Sequence, residues 1–148
     1  MSSTKIPIAY VELQVFVHAT EDTDKVLTAA KNLFPKSFTD KITFKKVQLQ
    51  GHHGNPIVLL KTKIKNKNVI EALFERISSS LNSLDKELLS RKITQHINHG
   101  NLYMRLDKQA AYLNTVKLCS ADSIHLKIHF RKHSPEEIIE ICKKHGMF

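Results

Sequence analysis

Residues 41–67 (KITFKKVQLQGHHGNPIVLLKTKIKNK) contain seven lysines and neither aspartate nor glutamate. Lys61, Lys63 and Lys65 occupy every second position of its last part. Because side chains of a β-strand point alternately to its two faces, this spacing predicts three ammonium groups along one face, here called the lysine row. Such a row repels itself unless an anion lies along it. It therefore indicates either a phosphate backbone as partner or a solvated outer face of a sheet.

The connection before the lysine row, Gly51–Pro56 with sequence GHHGNP, joins two predicted strands. Glycine permits positive φ angles and close approach of a ligand to the backbone. His52 and His53 can donate hydrogen bonds to phosphate or stack on bases, and Asn55 offers both a donor and an acceptor. A tight hairpin explains the glycines and the proline but does not require two adjacent histidines.

Nine histidines raise the question of metal binding or catalysis. The pairs His96/His99 and His125/His129 have workable spacings, but a zinc site usually needs three or four ligands with Cys or carboxylate among them. We therefore expect neither a metal nor another cofactor. A metal-free nuclease using His52 or His53 as general base is an alternative, although no carboxylate is placed beside them to orient an imidazole.

The whole chain of 148 residues is basic, with 23 Lys+Arg against 14 Asp+Glu and a formal net charge of +9. Lysine far outnumbers arginine, which favours contact with a phosphate backbone over reading of base edges. Two distant cysteines predict reduced, buried thiols, and no apolar run approaches the length of a membrane span. We expect one domain, residues 1–148, in a soluble cytoplasmic protein that binds no membrane.

The periodicity predicts strands at 8–18 and about 41–50, a third that follows Pro56 and carries the lysine row, and two more at 101–106 and 123–130. In the first strand, Ala9, Val11, Leu13, Val15 and Val17 form the inner face. Tyr10 and Phe16 on the other face could stack on bases, although such rings are more often covered by a loop or paired with a cross-strand side chain. The second strand changes phase: Ile42 and Phe44 share a face, whereas Val47 and Leu49 fall on the opposite one. A bulge at Lys45-Lys46 would bring all four to the core.

Helix signals separate these strands. The first predicted helix ends at Pro35, the second begins at Asn66 or Asn68, and the third runs from Asn82-Ser83 to Gly100. A short fourth helix begins after Asp107, and a fifth begins after Ser134. Asn114 is a candidate for a left-handed turn residue. The expected fold class is α+β: a two-layer sandwich of about five mostly antiparallel strands, with helices on one face and an open basic face. His125, Lys127 and His129, with Arg131 beyond, add a second basic row to that face.

Three motifs carry a resemblance to a known family. GHHGNPI (Gly51–Ile57), LYMRLDKQAA (Leu102–Ala111) and, more weakly, ADSIHLKI (Ala121–Ile128) resemble an archaeal family of small RNA-binding proteins described as predicted exosome subunits. The resemblance covers essentially the whole chain. It implies a fold similar to the large-subunit ribosomal protein that binds 5S rRNA. The matching positions are His52, His53, Gly54, Asn55, Arg105, Asp107, Lys108 and Gln109; Asn114 stands where the family is expected to have glycine.

These observations together predict a non-catalytic RNA-binding domain. Its expected partners are RNA and proteins of an RNA-processing complex, and Arg105 and Lys108 are expected to reach phosphate from either side of the turn that Asp107 caps. A ribonuclease centred on His52 and His53, and a protein–protein adaptor whose basic face meets an acidic partner, are the alternatives. The predicted RNA-binding residues are Lys45, Lys46, His52, His53, Gly54, Asn55, Lys61, Lys63, Lys65, Arg105, Lys108, His125, Lys127, His129 and Arg131.

Overall fold

The computed structural model describes residues 6–51, 54–131 and 133–148, so His52 and His53 lie outside the described residues. Six antiparallel strands form one sheet in the order β2-β3-β1-β6-β5-β4, one strand more than predicted. The α+β class and the open sheet are confirmed. The strands are β1 Ile8–Val17, β2 Lys45–Gln50, β3 Pro56–Ile64, β4 Ile97–Asn98, β5 Asn101–Asp107 and β6 Ser123–Phe130.

The helices are α1 Thr23–Lys31, α2 Lys67–Ser80, α3 Ser83–Arg91, α4 Lys108–Tyr112 and α5 Pro135–Lys144. Their apolar sides and the inner face of the sheet form one buried cluster. Leu13 and Val15 of β1, Leu60 of β3 and Phe130 of β6 are each fully buried in it. Burial of this apolar area drives the helices onto one face of the sheet and leaves the opposite face open.

The start of β1 departs from the predicted alternation. An irregularity between Ile8 and Tyr10 shifts the pairing with β6, so Ile8 rather than Ala9 is buried beside Val11. Burying the larger side chain removes more apolar surface from water, which favours this register.

The predicted bulge at Lys45-Lys46 is wrong. β2 pairs with β3 in continuous register from Lys45↔Lys61 to Gln50↔Pro56. The chain over Lys36–Lys41 is a 3₁₀ helix. Ile42, which is buried, and Phe44, which is partly buried, lie in the segment between this helix and β2. The edge strand therefore needs no bulge, and Val47 and Leu49 point to the open face.

The predicted third helix does not reach Gly100. α3 ends at Arg91, a 3₁₀ turn follows over Ile93–His96, and β4 then pairs with β5. His99 and Gly100 have φ angles of 52° and 80°, so they form the tight turn of a β-hairpin. Gly100 is thus a hairpin residue and not a helix C-terminus.

The predicted caps are confirmed. Asn66 caps α2, Asp107 caps α4, and Ser134 forms a capping box with Glu137 at the start of α5. Asn114 holds a φ of 63°, as expected of a left-handed residue after α4.

The two cysteines are unpaired and differ in exposure. Cys142 is fully buried, and burial raises the pKa of its thiol to about 12, whereas Cys119 is partly exposed. The prediction of two buried thiols therefore holds for Cys142 alone. No helix in the described parts of the chain is long and apolar enough to cross a membrane.

Candidate nucleic-acid interface

The open face consists of outward-pointing side chains of five strands, arranged in rows that cross the sheet. The first row is set by direct cross-strand partners: Lys45 of β2, Lys61 of β3, Gln14 of β1, His125 of β6 and Arg105 of β5. With strands about 4.8 Å apart, it spans roughly 19 Å. Lys45 lies directly opposite Lys61, a like-charge pair that destabilises a sheet in the absence of a bound anion.

The second row contains Lys63, Glu12, Lys127 and Tyr103, which are again direct cross-strand partners. Lys127 Nζ lies 3.6 Å from Glu12 Oε1. Desolvation acts to lower the pKa of Lys127, but Tyr10, Glu12 and Tyr103 outweigh it and raise this pKa above its ordinary value. Lys127 is therefore a cation at neutral pH, and Glu12 is the carboxylate that partly offsets it.

The third row joins Tyr10 to His129 and Asn101. The rings of Tyr10 and His129 stack with centroids 4.9 Å apart and planes 25° apart. His129 Nδ1 lies 2.8 Å from Asn101 Oδ1, so this nitrogen donates to the amide oxygen. Lys63 Nζ lies 4.2 Å from the Tyr10 ring centroid, a cation–π contact. The predicted site residues His129 and Lys63 are thereby brought together around a tyrosine.

One corner of the open face is apolar. Leu49 is 41% exposed there, and the half-buried Phe16 and Leu59 are direct cross-strand partners. Val47 pairs with Leu59, and Leu49 with Ile57. The open face thus combines a basic field with an apolar margin along β2. The sequence prediction had placed Val47 and Leu49 of this margin in the core.

The hairpin between β2 and β3 borders this corner. Gly54 has a φ of 75°, a conformation in which any other residue would be strained, and Gly54 N–H donates to Gly51 O. A Cβ atom on Gly51 would lie 2.3 Å from Ile57 Cδ1, so its lack of a side chain admits Ile57. Gly54 and Asn55 are exposed, and the predicted contacts of His52 and His53 lie outside the described residues.

Other predicted contact residues lie at the margin of the open face or away from it. Lys65 and Arg131 are exposed just beyond the ends of β3 and β6. Lys46 pairs with the buried Leu60, and so its side chain leaves the sheet on the helical side. The continuous register of β2 removes Lys46 from the open face, contrary to the sequence prediction.

Lys108 was also predicted to reach phosphate, but its side chain points inward. It is 8% exposed, and its Nζ donates to Phe16 O at 2.6 Å, Asp122 Oδ2 at 2.8 Å and Glu21 Oε1 at 3.1 Å. Partial burial acts to raise the pKa of Asp122, but Lys108 and His18 hold it below its ordinary value. The Lys108–Asp122 ion pair stabilises the fold at pH values above the unfolded-state pKa of Asp122. This stabilisation is lost as pH falls through the folded-state pKa of Asp122.

Potential ligand atoms of His18, Glu21 and Asp122 lie within 4.8 Å of one another, which resembles a cation site. The Lys108 ammonium already bonds both carboxylates. We therefore interpret this group as a salt-bridge cluster that fastens α4 to the ends of β1 and β6.

His125 differs electrostatically from the lysines around it. Burial lowers its pKa, the charge of Arg105 lowers it further, and Asp122 opposes both. His125 is therefore neutral at pH 7, and it adds a hydrogen-bonding group and not a positive charge to the first row.

This pKa shift predicts a pH dependence of folding. Because the folded-state pKa lies below the unfolded value near 6.5, the unfolded chain binds more protons between these two values. The free energy of unfolding should fall as pH drops through 6.5 toward the folded-state pKa, and His125→Gln should reduce that loss. Urea unfolding at pH 7.5 and 5.5 measures it. An equal pH dependence in both proteins would contradict the assignment.

Sequence reasoning missed the partners that organise this face. Glu12, Gln14, Asn101 and Tyr103 were not selected as site residues. Their outward phase in β1 and β5 is readable from the alternation, but their cross-strand neighbours are not. The strand order supplies that information.

Both a family model and individual proteins match this chain. The model of a family described as RNA binding matches residues 10–130. The RNA-binding protein PAB1135 of Pyrococcus abyssi (strain GE5 / Orsay) is 34% identical over 127 residues, covering 84% of this chain and 82% of that protein. Protein MJ0213 of Methanocaldococcus jannaschii is 32% identical over 139 residues, covering 88% and 93%.

Solved structures share the fold. Protein AF2318 from Archaeglobus fulgidus superposes with a TM-score of 0.79 at 27% identity, covering 93% of this chain and 99% of that one. Mth689, a DUF54 protein from Methanothermobacter thermautotrophicus, gives a TM-score of 0.76 at 27% identity, covering 93% and 97%.

Proposed function

We propose, from the premise that this chain belongs to the RNA-binding family, that it binds RNA along the open face of its sheet without cleaving it. The family is described by binding and not by a reaction. The proposed contacts are Lys45, Lys61, Lys63, Lys65, Arg105, His125, Lys127, His129 and Arg131, with Gly54, Asn55 and the neighbouring His52 and His53 from the hairpin.

The observation that carries this proposal is the concentration of positively charged side chains on the open face of the sheet. Lys45 and Lys61 are direct cross-strand partners, and Arg105 ends the same row. Lys63 and Lys127 flank Glu12 in the next row. In the first row, opposite charges at the positions of Lys45 and Lys61 would make the sheet more stable, whereas a bound polyanion relieves their repulsion. In the next row Glu12 only partly offsets the two lysines beside it.

The experiment is RNA binding by the full chain over a range of salt concentrations. If the rows contact phosphates, the logarithm of the binding constant should fall linearly with the logarithm of salt, by about 0.7 per phosphate contact on a single strand. Four or more contacts should give a slope near −3 or steeper. Absence of binding at low salt would overturn the proposal, and shortening of the RNA during the assay would overturn its non-catalytic part.

The hairpin gives a separate prediction. His52→Ala combined with His53→Ala should leave the melting temperature nearly unchanged, because a surface connection contributes little to the core. The double variant should bind RNA more weakly and lose the tightening that imidazole protonation gives between about pH 7.5 and 6. Binding titrations at both pH values and a thermal melt measure this. A variant that melts much lower yet binds RNA normally would make the histidines scaffold residues.

The cellular setting is proposed more broadly as RNA processing or degradation. Recovery of partner proteins that persists after nuclease treatment would indicate direct protein contacts. Loss of all partners on nuclease treatment would indicate contacts made through RNA.

A further inference from the structure

Tyr103 is an exposed aromatic ring in the middle of a basic field. It is 41% exposed on the open face, with Lys127 as its direct cross-strand partner and Arg105 two residues along the same strand. Among the described residues, no aromatic ring stacks on Tyr103. Exposure alone does not distinguish this ring, because single exposed tyrosines are common on protein surfaces. What distinguishes Tyr103 is its place on the open face beside Lys127 and Arg105.

Hydrogen bonds connect Tyr103 to the second tyrosine of the open face. Asn101 is 9% exposed, and its Nδ2 donates to the Tyr103 hydroxyl at 3.4 Å. Its Oδ1 accepts from His129 Nδ1 at 2.8 Å, and the His129 ring stacks on Tyr10. This chain from Tyr103 to Tyr10, here called the aromatic chain, couples the positions of its rings.

The aromatic chain has cations on both sides. Lys63 Nζ lies 4.2 Å and Lys127 Nζ 5.7 Å from the Tyr10 ring centroid. β5 and β1 are separated by β6 alone, which places their backbones about 10 Å apart. Rings and ammonium groups thus alternate across neighbouring strands.

We propose that the aromatic chain recognises unpaired RNA, with a base stacked on the exposed Tyr103 ring while Lys63, Lys127 and Arg105 contact the flanking phosphates. The inference rests on the proposed function and names the RNA class that the open face takes. Stacking does not require hydrogen bonds to base edges, so tolerance of base sequence is expected.

Charge and surface type argue against a continuous duplex. A duplex keeps its base faces stacked inside the helix and offers phosphates, 2′-hydroxyls and groove edges, for which cations and polar groups suffice. Such a partner would leave Tyr103 and the apolar margin at Leu49 uncovered. A strand with splayed bases covers both kinds of surface at once.

The test compares a mixed-sequence single-stranded RNA of about 12 nucleotides with the same strand annealed to its complement. Tyr103→Ala should weaken binding of the single strand about tenfold, since one base stack is worth roughly five- to 150-fold in affinity. Its salt slope should not change, because no cation is lost. Tyr103→Phe retains the ring and should bind within about twofold of the unchanged protein.

Tyr112→Ala is the matched control, because Tyr112 is 44% exposed but lies on α4. It should bind both RNAs normally, and a thermal melt should show that every variant is folded. Equal binding of the single strand by Tyr103→Ala and the unchanged protein would overturn the stacking inference while leaving RNA binding intact. Tighter binding of the duplex would overturn the RNA class. Failure of the unchanged protein to bind either RNA would overturn the proposed function itself.

Discussion

Changing the lysine row to glutamine (Lys61→Gln, Lys63→Gln, Lys65→Gln) is expected to weaken single-stranded RNA binding on the order of 100-fold at 0.1 M salt. Each lost phosphate contact reduces the salt slope by about 0.7, so three reduce it by about 2. The loss should be similar for RNAs of different sequence, because these side chains face the backbone. Titrations at several salt concentrations give both quantities.

Two controls separate a local effect from a change in total charge. Lys92, Lys143 and Lys144 are exposed at the ends of α3 and α5, and changing these three to glutamine removes the same charge away from the open face. That variant should keep the full salt slope. Glu12→Gln should tighten binding, since it frees Lys127 from its carboxylate partner. An unchanged slope in the lysine-row variant would contradict the assignment of this face.

Lys108→Met is expected to destabilise the fold by about 2–3 kcal/mol, or roughly 5–10 °C in melting temperature. The change removes the donor to Phe16 O and leaves Glu21 and Asp122 without their shared cation. The figure is set below that of a fully buried ion pair because both carboxylates are partly exposed to water. Urea unfolding and thermal melting measure it.

The control for this variant is Lys25→Met, which changes an exposed lysine on α1 that lines the same surface groove as Lys108 and Glu21. Surface changes of this type are usually within about 0.5 kcal/mol. At 20 °C, the folded Lys108→Met protein should bind RNA with unchanged affinity and salt slope. Normal stability with weakened RNA binding would restore Lys108 to the phosphate contacts that were predicted from the sequence.

Local patterns predicted those parts of the fold in which one face of each element is buried. Strict alternation identified β1, β3 and β6, because a one-residue error would expose an entire apolar face. The caps at Asn66, Asp107 and Ser134 were readable because an oxygen-bearing side chain before an apolar run satisfies free backbone N–H groups. The lysine row and the row through Lys127 followed from the same alternation.

Edges and short elements could not be read in this way. β2 is an edge strand whose apolar residues face the open side, so their phase conflicted with the assumption that apolar groups enter the core. Ile93 and Ile97 have helical spacing, yet the backbone between them is a 3₁₀ turn that leads into β4. Pairing with β5 overrode the local helical preference there.

Long-range partners were the least predictable. The inward position of Lys108 depends on Phe16 and Glu21, about ninety residues earlier in the chain. The aromatic chain likewise requires Tyr10 and His129 to be cross-strand partners, which no local pattern specifies. Cation and aromatic types were visible in the sequence, and the strand order decided which of them share a surface.

The most direct test of the central claim is ultraviolet crosslinking of bound single-stranded RNA, followed by mapping of the crosslinked peptides. We predict crosslinks in β1, β3, β5 and β6, at open-face residues such as Tyr10, Lys63, Tyr103 and Lys127, with few in α2, α3 or α5. Crosslinks concentrated on those helices, with the strand peptides unmodified, would contradict RNA binding by the open face.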